Sequence, residues 1–334
     1  MKLQGRTYGL VFIMVGLFST VFAFSKTLIL PEGPLDGLSY SFVRSLFASI
    51  VLTFVMASRG LFPAAKKTLQ LRLKSWLAFT LVSYLAYMVL IMYAGEFLTA
   101  TDQTILNSLS LPFVVTITAA SAKQKPSPAL AGVVILNVIG GVLPLFSLNS
   151  PEGSEGALIA GVLALTSVFL NGFFPLLNKR FTDEGVDPIV TAYLINLLPC
   201  IATAPLMLLP GEARAIAALT PVNWGCALWI GACVSAFGYL FGSWAYKDKA
   251  LTPEIYSLFT TLVPIGNIAL DVLISGTILT PFRVLGAAIV VGSVVLQQVV
   301  QARSKKVIPA KELIASEGTD EKEKQRKEKT GSFT

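Results

Sequence analysis

Apolar stretches recur along the whole chain, each closed by a short polar joint. Ten can be read, approximately Tyr8–Ile29, Leu38–Ala57, Ser75–Gly95, Thr101–Ala120, Ala129–Leu148, Ala157–Leu177, Ile189–Leu209, Val222–Ala245, Pro253–Ile274 and Phe282–Gln301. A helix of about 20 residues crosses a hydrocarbon core of ~30 Å. The pattern therefore predicts an all-α integral membrane fold of ten transmembrane helices. The joints, among them PEGPLDG, KQKPSP, NSPEGSEG and TDEGVDP, carry the glycine and proline that end helices.

Composition sharpens this picture. The 334 residues are 54% hydrophobic and 13% charged, with mean hydropathy +0.70. A soluble domain carries roughly a quarter charged residues, so most of this surface must face lipid. The start, MKLQGRTYGLVFIMVGLFSTVFAF, has the basic beginning of a signal peptide. Its apolar part exceeds the usual 7–15 residues, roughly counted, and it is read as the first span.

Candidate chemistry is sparse. Histidine is absent, and Cys200, Cys226 and Cys233 lie inside apolar runs, where cysteine acts as a small hydrophobe. Neither ligand spacing for a metal, nor a glycine-rich phosphate loop, nor a nucleophile elbow occurs. The expectation is no catalytic set, no metal and no cofactor. The net charge of +7 does not point to nucleic acid, because the positive residues sit in short joints and in the tail.

Their placement alternates. Lys2/Arg6, Arg59/Lys66/Lys67/Arg72/Lys74, Lys123/Lys125, Lys179/Arg180, Lys247/Lys249 and the start of the tail occupy every second connection, while PEGPLDG and NSPEGSEG are acidic. Basic loops stay in the cytoplasm, which predicts a multi-pass protein of the cell inner membrane with both termini cytoplasmic. The halves also echo each other. Aligning Lys26 with Lys179 aligns Tyr40 with Tyr193, and Pro112 parallels Pro264. Residues 1–150 and 151–302 are thus read as two five-helix repeats, inverted because five is odd, followed by a charged, disordered cytoplasmic tail, 303–334. Inverted repeats are a common transporter plan, with the substrate near the midplane.

These residues resemble the EamA-type members of the drug/metabolite transporter superfamily. The resemblance rests on FAFSK closing the first span, SFVRSLFASIVL with Arg44 in the second, ILNSLSLPFVVTITA with Pro112 in the fourth and PSPALAGVVILNVIGGVL in the fifth. In the second half it rests on YSLFTTLVPIGNIAL with Pro264 and TPFRVLGAAIVVGSVVL. Leu197 stands where the repeat would place a second Arg44. The resemblance implies export or exchange of a small metabolite, such as an amino-acid-like solute, by alternating access. An integral-membrane enzyme, or a channel or scaffold without carrier activity, is the alternative. The partners expected are the solute and membrane lipid, with a homodimer also considered.

Candidate site residues follow from depth. Asn107, Asn171, Tyr84, Tyr87, Tyr239, Ser108 and Ser235 are polar or aromatic near mid-span and are expected to line a substrate path, with interhelical hydrogen bonding as the bland reading. Trp76 and Tyr93 suit the lipid interface better. Lys26, near the outer end of the first span, either snorkels into the headgroups or acts as a gate cation. Lys179 at the inner interface reads as snorkelling. Arg44 lies deeper, where a charge is costly and usually paired. Its expected partners are Asp36, Glu32, Glu96 and Asp102, so Arg44, Lys26, Glu96 and Asp102 form a proposed gate or ion-pair group at the outer mouth. Asp102 can also cap the fourth helix. No acid falls at the expected midplane, which favours facilitated diffusion or exchange over strict proton coupling.

Overall fold

The computed structural model describes residues 3–121, 128–143, 153–260, 262–276, 278–293 and 295–296. Among these the chain is helical apart from turns and an isolated bridge between Ile29 and Leu35. In chain order the apolar helices are α1 (Gly5–Lys26), α2 (Gly37–Arg59), α3 (Phe62–Gly95), α4 (Ala100–Ala120), α5 (Ala131–Val142), α6 (Leu158–Asp183), α7 (Pro188–Leu208), α8 (Pro221–Ala245), α9 (Pro253–Ile274) and α10 (Pro281–Ser293). Eight are long and apolar enough to cross a bilayer, whereas α5 and α10 are shorter. The rest of the fifth and tenth expected spans, 144–148 and 297–301, lies outside the described residues, as does the tail 303–334.

Local chemistry sets the helix ends. The Asp36 carboxylate accepts from the Leu38 and Ser39 backbone N–H at 3.0 and 2.8 Å, satisfying donors that the first turn of α2 leaves open. Gly60 ends the same helix at φ 62°, a left-handed conformation that glycine adopts without strain. Thr99 and Asp102 form a reciprocal capping box at the start of α4.

In the packing, α2 lies along α7, α3 along α6, α1 along α8 and α4 along α9. Exchanging the first five helices for the last five carries the first and last of these pairs onto themselves and the middle two onto each other. The α3–α6 seam is aromatic, with Trp76 stacked on Phe181 at 4.2 Å between ring centroids and Phe79 beside Phe174 at 5.3 Å. Trp76, expected at the lipid interface, is instead fully buried, because the face it occupies meets α6. The outer surface is apolar. Phe54, Leu158 and Val222 are 72%, 69% and 69% exposed, which suits hydrocarbon as the surrounding medium.

The joints gather at two ends of the bundle. At one end Gln4 N–H and Thr7 Oγ1 donate to Asp248 at 3.0 and 2.8 Å, and Arg72 pairs with Glu184. At the other, Tyr93 Oη donates to Asp36 at 2.8 Å and Asn223 Nδ2 to the Thr27 carbonyl at 2.6 Å.

Candidate functional site

Four helices are broken in mid-span. In α1 the helical pieces end at Phe18 and resume at Val21, in α4 they end at Asn107 and resume at Ser110, in α6 at Asn171 and Phe173, and in α9 at Thr260 and Val263. Proline explains three of them. Its ring lacks an N–H and clashes with the carbonyl four residues earlier, so Pro112, Pro175 and Pro264 act on Ser108, Asn171 and Thr260. In α1 the hydroxyls of Ser19 and Thr20 bond back to the Val15 and Leu17 carbonyls at 2.9 and 2.8 Å, which loosens a helix. The register that aligns Lys26 with Lys179 also aligns Ser19 with Gly172.

Two further helices widen rather than break. Ala78–Ala86 in α3 and Trp229–Gly238 in α8 are wound as π-helix, a form that concentrates at functional sites. Within the second, Ser235 Oγ donates to the Ile230 carbonyl, five residues back, at 2.9 Å. Tyr87 and Tyr239 directly follow the two wide segments.

These irregular segments surround a central cavity of about 90 Å³. Asn107, Ser108, Asn171, Tyr87, Tyr239 and Arg44 all line it. Tyr87 Oη donates to Asn107 Oδ1 at 3.2 Å, and Ser108 Oγ turns back to the Ile105 carbonyl. Tyr84 and Ser235 stand one layer behind the lining. Tyr84 Oη donates to Asn196 Oδ1 at 3.2 Å, and its ring sits edge-on to Tyr239 at 5.2 Å. Of the two tyrosines expected to line the path, Tyr87 does so and Tyr84 supports the lining from behind. The sequence reading missed Phe18, Met88, Phe174, Tyr256 and Ser257, which also line the cavity, and the buried Asn196. An asparagine inside the apolar run of α7 was the signal for Asn196. Tyr256 and Ser257 lie within one turn of the α9 break.

Arg44 departs most from expectation. It sits in the cavity wall rather than in an acid pair at the outer mouth, 3% exposed. Its Nε donates to Ser235 Oγ at 2.5 Å, and Nη1 reaches Met88 Sδ at 3.2 Å. The acids expected to pair with it are engaged elsewhere: Asp36 caps α2, Arg283 bonds both Asp102 oxygens at 2.8 and 2.7 Å, and Glu32 lies 4.0 Å from Lys26. Glu96 lines a second pocket with Lys26 and Asp271. Gly231 brings α8 close enough for the Ser235 contact, since a Cβ there would lie 2.9 Å from the Arg44 carbonyl oxygen and 2.5 Å from Phe47 Cβ.

Lys26 does not snorkel. It is 6% exposed and its Nζ donates to the Gly95 carbonyl at 2.8 Å, at the C-terminal end of α3, where the helix dipole favours a cation. Lys179 makes the matching contact at the opposite end, donating to the Tyr246 carbonyl at 3.1 Å and pairing with Asp183 at 2.9 Å. Both lysines thus meet a carbonyl-rich helix end: Lys26 is held there in a buried setting, and Lys179 lies beside the half-exposed Asp183. Asp102 serves the α4 cap and Arg283 together, and Asp271 accepts from Thr101 N–H and Oγ1 at 2.8 and 2.6 Å. Outside the spans, burial pushes the Asp36 carboxyl up, but hydrogen bonds from Ser39, Tyr93 and Leu38 outweigh it and hold Asp36 below its usual range. Burial and the nearby Asp36 charge push Glu212 up.

The model of the EamA-like transporter family matches residues 158–297. No curated protein matches the chain. A solved structure described only as "Crystal structure of protein" superposes with TM-score 0.62 at 15% identity, covering 90% of this chain and 99% of that chain. The likeness concerns the fold alone, and it extends into the half that precedes the family match.

Proposed function

We propose that the chain is a transporter of the EamA-like family, whose model matches residues 158–297, and that it carries a small organic metabolite across the cytoplasmic membrane by alternating access, in export or exchange. The family match over residues 158–297 and the long apolar helices support the reading of a multi-pass membrane transporter. The carrier mechanism rests on one observation: four broken helices and two widened ones meet around one central cavity lined by aromatic, apolar and a few polar side chains. Discontinuous helices at a shared cavity give a transporter both its binding groups and its hinges. Asn107, Asn171, Tyr87, Tyr239 and Ser108 hold the solute, with Tyr84 and Ser235 behind them. The paired groups around Lys26, Glu96 and Asp102 fasten one end of the passage.

The end bearing Arg72, Lys179 and Asp248 faces the cytoplasm, because the basic joints collect there. The described residues lining the cavity include no carboxylate, which supports exchange or facilitated diffusion over strict proton coupling. Reconstitution tests the reading. A solute that stabilises the purified protein should show saturable counterflow in proteoliposomes. Conductance without saturation or counterflow would make the protein a channel instead.

A further inference from the structure

We propose that the transported solute is an organic monoanion whose carboxylate pairs with Arg44 in the central cavity. This rests on the carrier reading above and adds the substrate class. Among the described residues lining the cavity, Arg44 is the one that bears a charge. Its recorded partners, the Ser235 hydroxyl and the Met88 thioether, are neutral. Other deeply placed cations are treated differently. Lys26, Lys179 and Arg283 each have a carboxylate within 4.0 Å. Among the described residues no such pair forms at Arg44.

A guanidinium carries five N–H donors in a planar fork that fits a carboxylate with two parallel bonds. Ser235 and Met88 each take one N–H, of Nε and of Nη1, so the second N–H of Nη1 and those of Nη2 form the edge offered to a carboxylate. A buried charge without a counter-charge is costly in a low-dielectric interior, and a bound anion removes that cost. A cationic solute would add a second positive charge, and a neutral one would leave the first unmatched. The remaining lining suits the body of such an anion. Phe174 and Tyr239 stand 5.4 Å apart between ring centroids, Phe18 and Tyr239 5.2 Å, and Asn107 and Asn171 offer amides beside them.

The test uses the full-length protein purified in detergent and two matched probe sets. One is phenylacetate, phenylacetamide and phenethylammonium; the other is isovalerate, isovaleramide and isoamylammonium. The expected result is that a carboxylate raises the melting temperature and binds at least about ten-fold more tightly than its amide, as loss of a charge-assisted pair implies. Arg44→Gln should abolish that preference. If this variant does not fold, Arg44→Lys should keep a weakened carboxylate preference, because a point charge replaces the fork. Amides or ammonium ions binding as tightly as carboxylates overturn the proposal. So does a wild-type protein that no carboxylate stabilises, or a preference that Arg44→Gln leaves intact. Counterflow separates the two layers of the argument. Carboxylate binding without counterflow defeats the carrier reading and leaves the anion site standing; counterflow without carboxylate preference does the reverse.

Discussion

Around the end of α1, Lys26 and Arg283 lie among Glu32, Glu96, Asp102 and Asp271, and each cation has a carboxylate within 4.0 Å. In the central cavity, Arg44 stands among phenols, amides, hydroxyls and a thioether. Both regions bury charge in a protein surrounded by hydrocarbon, where desolvation is expensive. The first recovers that cost within the chain and so holds α1, α3, α4, α9 and α10 in one arrangement. The second leaves the cost open, and its side chain is aimed by Ser235 at the cavity rather than at an acid. Burial alone therefore does not separate the two regions; the missing counter-charge at Arg44 does.

Replacing one member of each set should expose this difference. Arg283→Ala leaves Asp102, 0% exposed, without its cation, and should lower the unfolding free energy by about 3–5 kcal/mol. Denaturant titration in mixed micelles reads it, and a loss near zero would erase the contrast with Arg44. Lys26→Met removes the bond to the Gly95 carbonyl and should cost about 1.5–3 kcal/mol in the same titration. A similar loss for Lys179→Met would show that the equivalent lysines fasten the two ends alike.

Asp36→Ala should cost about 1 kcal/mol as a lost N-cap. The pH dependence has a definite sign. Hydrogen bonds hold the Asp36 carboxyl below its usual range, so its stabilisation is present above the unfolded value of about 3.9 and fades as pH falls through the folded value. The wild type should lose more stability on acidification than Asp36→Ala; parallel acid titrations would remove the cap from the account. Asn107→Ala should change stability by no more than about 1 kcal/mol, for the one hydrogen bond from Tyr87, yet lower counterflow more than folded yield. Equal losses in both would move Asn107 from the cavity's chemistry to its packing.

Several parts of this site were legible before the fold. Pro112, Pro175 and Pro264 mark three of the four helix breaks, because a ring lacks an N–H and crowds the preceding turn, whereas Pro199 sits within the continuous helix Pro188–Thr203. Asn107, Asn171 and Tyr239 stood out as polar or aromatic residues at mid-depth, and the fold places them at the cavity. The break in α1 carries no proline and was not visible. Nor were the wide turns of α3 and α8, whose segments AFTLVSYLA and WIGACVSAFG carry no proline to mark them. Trp76 was misplaced because a tryptophan near a helix end suits lipid headgroups and a packed seam equally well.

The sequence by itself determined that the chain is an all-helical membrane protein and where the apolar middle of most spans lies, though α3 starts at Phe62, well before the expected Ser75. Those properties depend on length, apolar content and residues close together in the chain. Only the tertiary structure decided that Arg44 meets Ser235 and not Asp102, and that Lys26 reaches a helix end and not the headgroups. Such pairings join residues far apart in sequence, so they depend on which helix faces touch and how closely. A glycine such as Gly231 sets that distance, and linear spacing carries no record of it.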